Sequence, residues 1–409
     1  MALGIGGTVG GGIFVLVGAA AGLAGPAALV AFLVAFVAAL VIALPYAELS
    51  CRLPLAGGGY AFARQVLGPN WGFVMGWGYW GAYVFVSGYV TIGFGGYLEA
   101  VTGLPAAAGA VALVAASAAL NLLGVRVSGR AQTLVVLVAV VGLAGFVVWG
   151  LPEVALQRLR PFLPHGGHGV FLAALVAFLS FGGFDMVAAA GEEVQRPERN
   201  LPRAILLTLT TVLGLYLLVV MVALGTVPAA RLGAATAPLA EAAEAFGGAG
   251  ARHLVVASAL LTTAATANAV LVVTSRIAFA MARDGLLPAP LGAVHPRTGS
   301  PWVAVLSSGL LLAVVGAVGT VAFAAAAGGF LYVLHFVPPL VALVVLRRRG
   351  GARPAFTTPA PRLLIPLAFV VSATLVAASG TTGLAVGSAW LLVGLALHRA
   401  RLAWARGAA

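Results

Sequence analysis

About twelve apolar runs, each roughly as long as a bilayer is thick, follow one another along this chain, and nothing else in it constrains the fold so tightly. They lie at about residues 2–24, 27–49, 71–97, 105–124, 131–150, 169–191, 203–225, 253–282, 302–318, 320–346, 363–379 and 382–398. A helix rises ~1.5 Å per residue, so ~20 apolar residues cross the ~30 Å of hydrocarbon. Inside lipid every backbone N–H and C=O needs an internal partner, which a run of this kind meets as a helix. The chain is 62% hydrophobic and only 8% charged, where soluble domains carry about 25% charged residues. An all-α polytopic membrane protein of about 12 transmembrane helices follows. The first run has no basic segment before it and leads into further spans, so it does not read as a cleavable signal peptide. It begins within a few residues of Met1, which leaves open whether a cytoplasmic segment precedes it.

A net charge of +12 raises the question of nucleic acid, and the placement of the basic residues answers it. All 22 are arginines, set in short clusters between apolar runs rather than in a stripe. With alternate loops assigned to opposite sides, 18 fall on one side and four (Arg158, Arg160, Arg231 and Arg252) on the other. That asymmetry is the positive-inside bias. It predicts a multi-pass protein of the cell membrane with both termini cytoplasmic, partnered by the lipid bilayer and by no nucleic acid. One cysteine, Cys51, excludes an internal disulfide and a cysteine-based metal site. The longest stretch outside the spans, about 226–252, is rich in alanine and glycine and too short for a soluble core.

Two spans are interrupted. In "GTVGGGIFVLVG", residues 7–18, Gly10, Gly11 and Gly12 stand together at mid-span, and in "FLSFGGFD" Gly182 and Gly183 precede Asp185. Glycine costs a helix interior about 1 kcal/mol relative to alanine. One reading is close packing, which the Gly18-xxx-Gly22 spacing further along the first span fits well. The other is a discontinuous helix. Breaks in spans one and six predict two five-span repeats with a binding site between them: residues 1–150 as the first repeat, 151–346 as the second, and 347–409 as two peripheral spans. A broken helix presents unpaired N–H groups on one half and unpaired C=O groups on the other. A zwitterion suits such a pair, its carboxylate on the N–H groups around Gly11–Ile13 and its ammonium on carbonyls near Gly6–Thr8 and Phe181–Gly183.

These residues resemble a known family, the amino acid–polyamine–organocation permeases. "IGGTVGGGIFVLVG" resembles the family's first-span motif. "LPYAELSCRLPLAGGGYAFARQVLGPNWGFVMGW" (44–77), "NLLGVRVSG" (121–129), "SFGGFDMVAAAGEEVQRPERNLPRAI" (180–205) and "SRIAFAMARDGLLP" (275–288) continue in family order. The resemblance implies the LeuT-like five-plus-five inverted repeat, with helices 1 and 6 discontinuous, and secondary active transport of amino acids by proton symport or exchange. It places the substrate's α-carboxylate and α-ammonium at the backbone of Gly10, Gly11, Gly12 and Ile13 and of Phe181, Gly182 and Gly183. Two departures stand out. Many members have Ser or Thr where Gly11 stands. Several proton-coupled members carry a span-five lysine that falls here at Ala139, so coupling through that lysine is excluded.

Asp185, an intramembrane carboxylate, is a coupling candidate by position and equally a cap for the N–H groups of the half-helix. Glu192 and Glu193 belong to a mixed-charge cytoplasmic loop, read either as solvated or as one side of a gate pairing with Arg52, Arg276 or Arg283. Glu48 is expected in a structural ion pair. His335 is either a helix–helix contact near Pro338–Pro339 or a proton relay. Asn268, Thr274 and Ser275 are candidates for a sodium site, although sodium is unusual in the family that the chain resembles. Trp71, Trp77, Trp80 and Trp149 read as interface anchors. With Asp185 the one carboxylate deep in the membrane and no buried arginine, a neutral amino acid is the expected substrate. Tyrosine and tryptophan faces keep a cationic amino acid or polyamine antiporter as the alternative, and a non-transporting amino acid sensor of the same fold stays open. No HExxH, GxSxG elbow or paired intramembrane acids occur, so neither an enzyme nor a catalytic metal is expected, and no cofactor. The sequence sets no oligomeric state.

Overall fold

The computed structural model describes residues 8–55, 58–124, 129–189, 194, 196–350 and 354–407, and among these there are helices and turns and no strand. Nine stretches are long and apolar enough to cross a membrane, and two shorter apolar helices, Ala106–Leu122 and Trp302–Val318, join them. The first stretch, Gly11–Arg52, has 42 residues, about 63 Å of straight helix. A 3-10 turn at Gly25–Ala27, opened by Gly25 at φ +63°, divides it into α1 (Gly11–Ala24) and α2 (Ala28–Arg52), which pack on each other. A short amphipathic helix follows, α3 (Gly58–Leu67), which buries Tyr60, Phe62, Ala63 and Val66 and turns Arg64 outward. Then come α4 (Pro69–Thr102), α5 (Ala106–Leu122) and α6 (Gly129–Gly150).

The sixth apolar run is broken into α7 (Gly166–Ser180) and α8 (Phe184–Ala189). The remaining helices are α9 (Pro197–Thr226), α10 (Ala229–Ala234), α11 (Pro238–Arg283), α12 (Trp302–Val318), α13 (Val321–Leu334), α14 (Val337–Arg349), α15 (Pro361–Ala378) and α16 (Gly380–Gly407). α4 lies at the centre, against α11, α13, α5 and α12, while α1 packs on α7 and α11. The contacts repeat with a shift of five spans: α4 meets α13 as α11 meets α6, and α4 meets α5 as α11 meets α12.

The stretch 226–252, outside the spans, is mostly helical. α10 and the start of α11 bury Leu232 and Leu239 completely. α10 lies in the groove that Gly18 and Gly22 leave on α1: a Cβ on Gly22 would stand 3.2 Å from Gly233 Cα, and one on Gly18 2.7 Å from the Leu232 carbonyl oxygen. The small-xxx-small spacing of span one is thus a packing notch. Alanine and glycine are what such close approach requires.

Two differences from the sequence reading concern polar contacts. Trp71 and Trp149 are exposed, as interface anchors are, but Trp77 and Trp80 are buried. Trp77 stacks on Trp390 of α16, and each indole N–H donates to the other's backbone carbonyl, at 2.7 and 3.0 Å. Trp80 donates to Ser308 Oγ of α12 at 3.1 Å. Both fasten helices together. Glu48 is in an ion pair, as expected, and its surroundings are richer than a pair. Fully buried near the end of α2, it accepts Arg52 Nε (2.9 Å), Arg347 Nε and Nη2 (3.0 and 2.5 Å), and the backbone N–H and hydroxyl of Thr358 (2.9 and 2.8 Å). One carboxylate so joins α2, α14 and the approach to α15. Beside it, the thiol of Cys51 donates to the Glu198 carbonyl at 3.0 Å, linking α2 to α9. At the end of α11, Asp284 accepts Tyr60 Oη (2.8 Å) and Arg64 Nη1 (2.5 Å) of α3. Burial, and then that carboxylate, push the Tyr60 phenol above its ordinary range.

Candidate functional site

Both glycine clusters interrupt a helix. Thr8 is helical, Val9 and Gly10 are not, and α1 begins at Gly11 after an extended Gly10 (φ −81°, ψ −160°). No side chain caps this N-terminus from the Ncap position and no acid lies in its first turn. Gly10, Gly11, Gly12 and Ile13 are all buried. The Gly11 N–H donates to Thr266 Oγ1 of α11 at 3.2 Å. The glycines also admit the surrounding helices. A Cβ on Gly10 would stand 2.8 Å from Thr266 Oγ1, one on Gly11 2.8 Å from Thr263 Cγ2 and 2.9 Å from Val90 Cγ1, and one on Gly12 3.2 Å from Ser180 Cα. The cluster opens the backbone and lets α11, α4 and α7 close upon the opening.

In the sixth span Phe181, Gly182 and Gly183 form a turn between α7 and α8. Gly183 sits at φ +108°, a conformation side chains exclude. Its N–H, freed from any helix, donates to Asp185 Oδ1 at 3.2 Å and to Tyr332 Oη at 3.0 Å. Phe181 is wholly buried, its ring against Phe32, Phe36 and Tyr216.

One residue ties the two breaks together. The Tyr216 hydroxyl of α9 donates to the Thr8 carbonyl at 2.7 Å and the Ser180 carbonyl at 3.1 Å, each the last helical residue before a break. Next to them the hydroxyls of Thr8 and Ser180 are buried and have no hydrogen-bond partner among the described residues. Orphaned buried hydroxyls are rare in folded proteins, and here two occur beside the same strap. Tyr216→Phe removes the strap with little change of shape. A net hydrogen bond is worth about 1 kcal/mol, so initial uptake of substrate is expected to fall about fivefold to tenfold. An unchanged rate would show that the strap plays no part.

Asp185 lies beyond the second break, fully buried. Besides the Gly183 N–H it accepts Tyr332 Oη (2.7 Å), Tyr79 Oη (2.9 Å) and Tyr83 Oη (2.9 Å). His335 Nε2 stands 3.6 Å from its Oδ2. Tyr79 and Tyr83 are one turn apart on α4. Tyr332 is in the last turn of α13, and His335 caps that helix before α14 begins. His335 and Phe336, between α13 and α14, keep helical φ/ψ, so span ten runs on from Val321 to Arg349 past Pro338 and Pro339.

The structure brings Gly10–Ile13 and Phe181–Gly183 together, with Asp185 beside them. Glu192 and Glu193 lie outside the described residues. Of the candidates for sodium, Thr274 and Ser275 donate to carbonyls of their own helix, and Asn268 accepts from Asn121 of α5. Among the described residues no three His, Cys, Asp or Glu side chains come together. The hydroxyls around Asp185 point hydrogens at it, a polarity that suits an anion and opposes a metal ion. Sequence reasoning named the carbonyl of Thr8 but missed its hydroxyl, missed Ser180, Tyr216 and Thr266 at the breaks, and missed Tyr79, Tyr83 and Tyr332 around Asp185. The one signal that could have found the tyrosines was helical spacing, Tyr79 to Tyr83 and Tyr332 to His335.

Comparison with known proteins agrees with this architecture. The family described as "Amino acid permease" matches residues 1–349. The branched-chain amino acid permease BcaP of Bacillus subtilis is 31% identical, over 97% of this chain and 90% of the relative. The methylthioribose transporter of the same organism is 30% identical, over 91% of this chain and 84% of the relative. Cationic amino acid transporter 4 of Homo sapiens is 33% identical over 76% of this chain, but the match spans only 53% of that protein. Taken with the interrupted, wholly helical architecture, these matches show that the chain belongs to the amino acid permease family of membrane transporters.

Proposed function

We propose that this permease carries neutral amino acids of small to medium size across the cell membrane by alternating access, holding each as a zwitterion between the two helix breaks. The carboxylate takes the N–H groups that open α1, around Gly11–Ile13, and the ammonium takes carbonyls at Thr8 and at Phe181–Gly183. The observation that carries this reading is the pair of orphaned hydroxyls, Thr8 and Ser180, beside facing backbone breaks. Helix termini favour opposite charges at their two ends, and non-helical backbone at membrane depth marks a lined cavity.

A neutral side chain is favoured because the carboxylate near the site, Asp185, already accepts four donors. The printed name of the Bacillus relative, a branched-chain permease, agrees with that choice. The contacts repeating with a shift of five spans support two inverted repeats, spans 1–5 and 6–10, with α15 and α16 peripheral. The division of the Gly11–Arg52 stretch at Gly25 supports twelve passes, and the arginine asymmetry supports cytoplasmic termini.

The test is uptake of labelled neutral amino acids into proteoliposomes, with and without a pH gradient, the lumen empty or preloaded. Saturable uptake of a neutral amino acid under either drive is the expected result. Uptake confined to arginine or polyamines would replace the substrate class. No uptake of any amino acid would point to a sensor.

A further inference from the structure

We propose that Asp185 and His335 form a single proton-binding site, so that the permease holds one coupling proton where span six meets span ten. The proposal rests on the transporter reading above and names its coupling ion.

The argument begins with charge. The groups facing Asp185 are Tyr79 and Tyr83 from α4, Tyr332 and His335 from α13, and the Gly183 N–H. Tyr46 of α2 packs its ring on Phe184 and Phe336. Hydroxyls and an amide satisfy a carboxylate's lone pairs but do not cancel its charge. The basic side chain within 4 Å, among the described residues, is His335. A carboxylate beside a neutral imidazole leaves a net −1 at a site where both side chains are 0% exposed. An uncompensated buried charge costs several kcal/mol. One proton added to the pair, on either partner, brings the site to neutrality.

His335 bears the marks of the receiving group. Neither of its ring nitrogens has a hydrogen-bond partner among the described residues, although its ring is packed between Tyr79, Tyr332 and Phe336. Its Nε2 is a few tenths of an ångström beyond hydrogen-bonding range of Asp185 Oδ2. It also caps the C-terminal end of α13, where unpaired carbonyls favour a cation. The step is a simple transfer: a proton from water on one side binds Nε2, is shared with Oδ2, and leaves to water on the other side. Asp185 follows the turn whose carbonyls are assigned to the substrate ammonium, so a proton on the pair acts beside the break in span six. At Ala139, where the resembled family's lysine would stand, there is only a methyl group.

Two measurements test the pair. In proteoliposomes with the membrane potential clamped at zero, a gradient of about one pH unit is worth about 1.4 kcal/mol per proton, or about tenfold accumulation at one proton per substrate. Wild type is expected to approach that ratio. His335→Gln and Asp185→Asn are each expected to fall to simple equilibration, a ratio of about one. His253→Gln, on an exposed histidine, serves as the control. If wild type exchanges preloaded amino acid and shows no gradient-driven accumulation, the transporter reading stands and this proposal falls. His335→Gln at the wild-type ratio overturns it as well. The second measurement needs no transport: isotope-edited infrared and ¹⁵N-histidine spectra of the purified protein between about pH 5 and 9. A single titration seen in both the signal lost in His335→Gln and the carboxyl band lost in Asp185→Asn supports the pair. Two independent titrations, or none, overturn it.

Discussion

Asp185→Ala is expected to abolish uptake and to destabilise the detergent-solubilised protein by several kcal/mol. The substitution deprives three tyrosine hydroxyls and the Gly183 N–H of their shared acceptor. Each buried donor left unsatisfied costs about 1–3 kcal/mol. The Gly183 N–H keeps Tyr332 Oη as an acceptor and Tyr79 and Tyr83 face each other, but the Tyr332 hydroxyl and one of the other two lose theirs. The turn at Gly183, at φ +108°, would keep one of its two N–H contacts. Asp185→Asn separates charge from shape. Its Oδ1 still accepts from Tyr332 and Gly183, and its amide donates to a tyrosine oxygen, so it should fold close to wild-type stability. Thermal unfolding monitored by size-exclusion fluorescence measures both. An alanine variant as stable as wild type would mean that the tyrosines find other partners and that the cluster is incidental.

This cluster shows where sequence reasoning stops. The two breaks were legible because consecutive glycines in an apolar run have few uses, and Asp185 was legible because a charge within a span is costly. Its partners were not. Tyr79 and Tyr83 lie in "GWGYWGAYVF", where aromatic residues at helical spacing look like ordinary packing, and their meaning depends on α4 passing beside α8 and α13. Trp77 and Trp80 in the same run read as interface anchors because position along a span says nothing about which face is covered; α16 covers theirs. Thr266 and Tyr216 belong to spans distant in sequence from the breaks they serve. The hydroxyls of Thr8 and Ser180 stand out only once burial is known.

The second large effect is expected at the other buried carboxylate. Glu48→Ala leaves Arg52 and Arg347 facing one another without an acid, along with the N–H and hydroxyl of Thr358. Removing one member of a buried ion pair costs about 3–5 kcal/mol, since the remaining charge is left uncompensated. Glu48 is 0% exposed, so salt should do little to reduce the loss. Arg64–Asp284 is the useful contrast. It is also an ion pair, but the Arg64 side chain is 43% exposed, and such pairs contribute at most about 1 kcal/mol. Thermal unfolding of Glu48→Ala and Arg64→Ala at low and high salt should therefore show a large, salt-insensitive loss for the first and a small one for the second. Losses of equal size would refute the assignment of Glu48 as the junction of α2, α14 and the approach to α15.

Cys51 has a practical consequence for watching this molecule move. It is the one thiol in 409 residues, buried, and occupied in a contact with the Glu198 carbonyl. Serine offers the same carbonyl a stronger donor in nearly the same volume, so Cys51→Ser yields a cysteine-free chain by a single conservative exchange. Any thiol then introduced reports alone. Spin labels or fluorophores placed in pairs across the C-terminal end of α1 and α10, or across α3 and the end of α11, would read distances free of background signal.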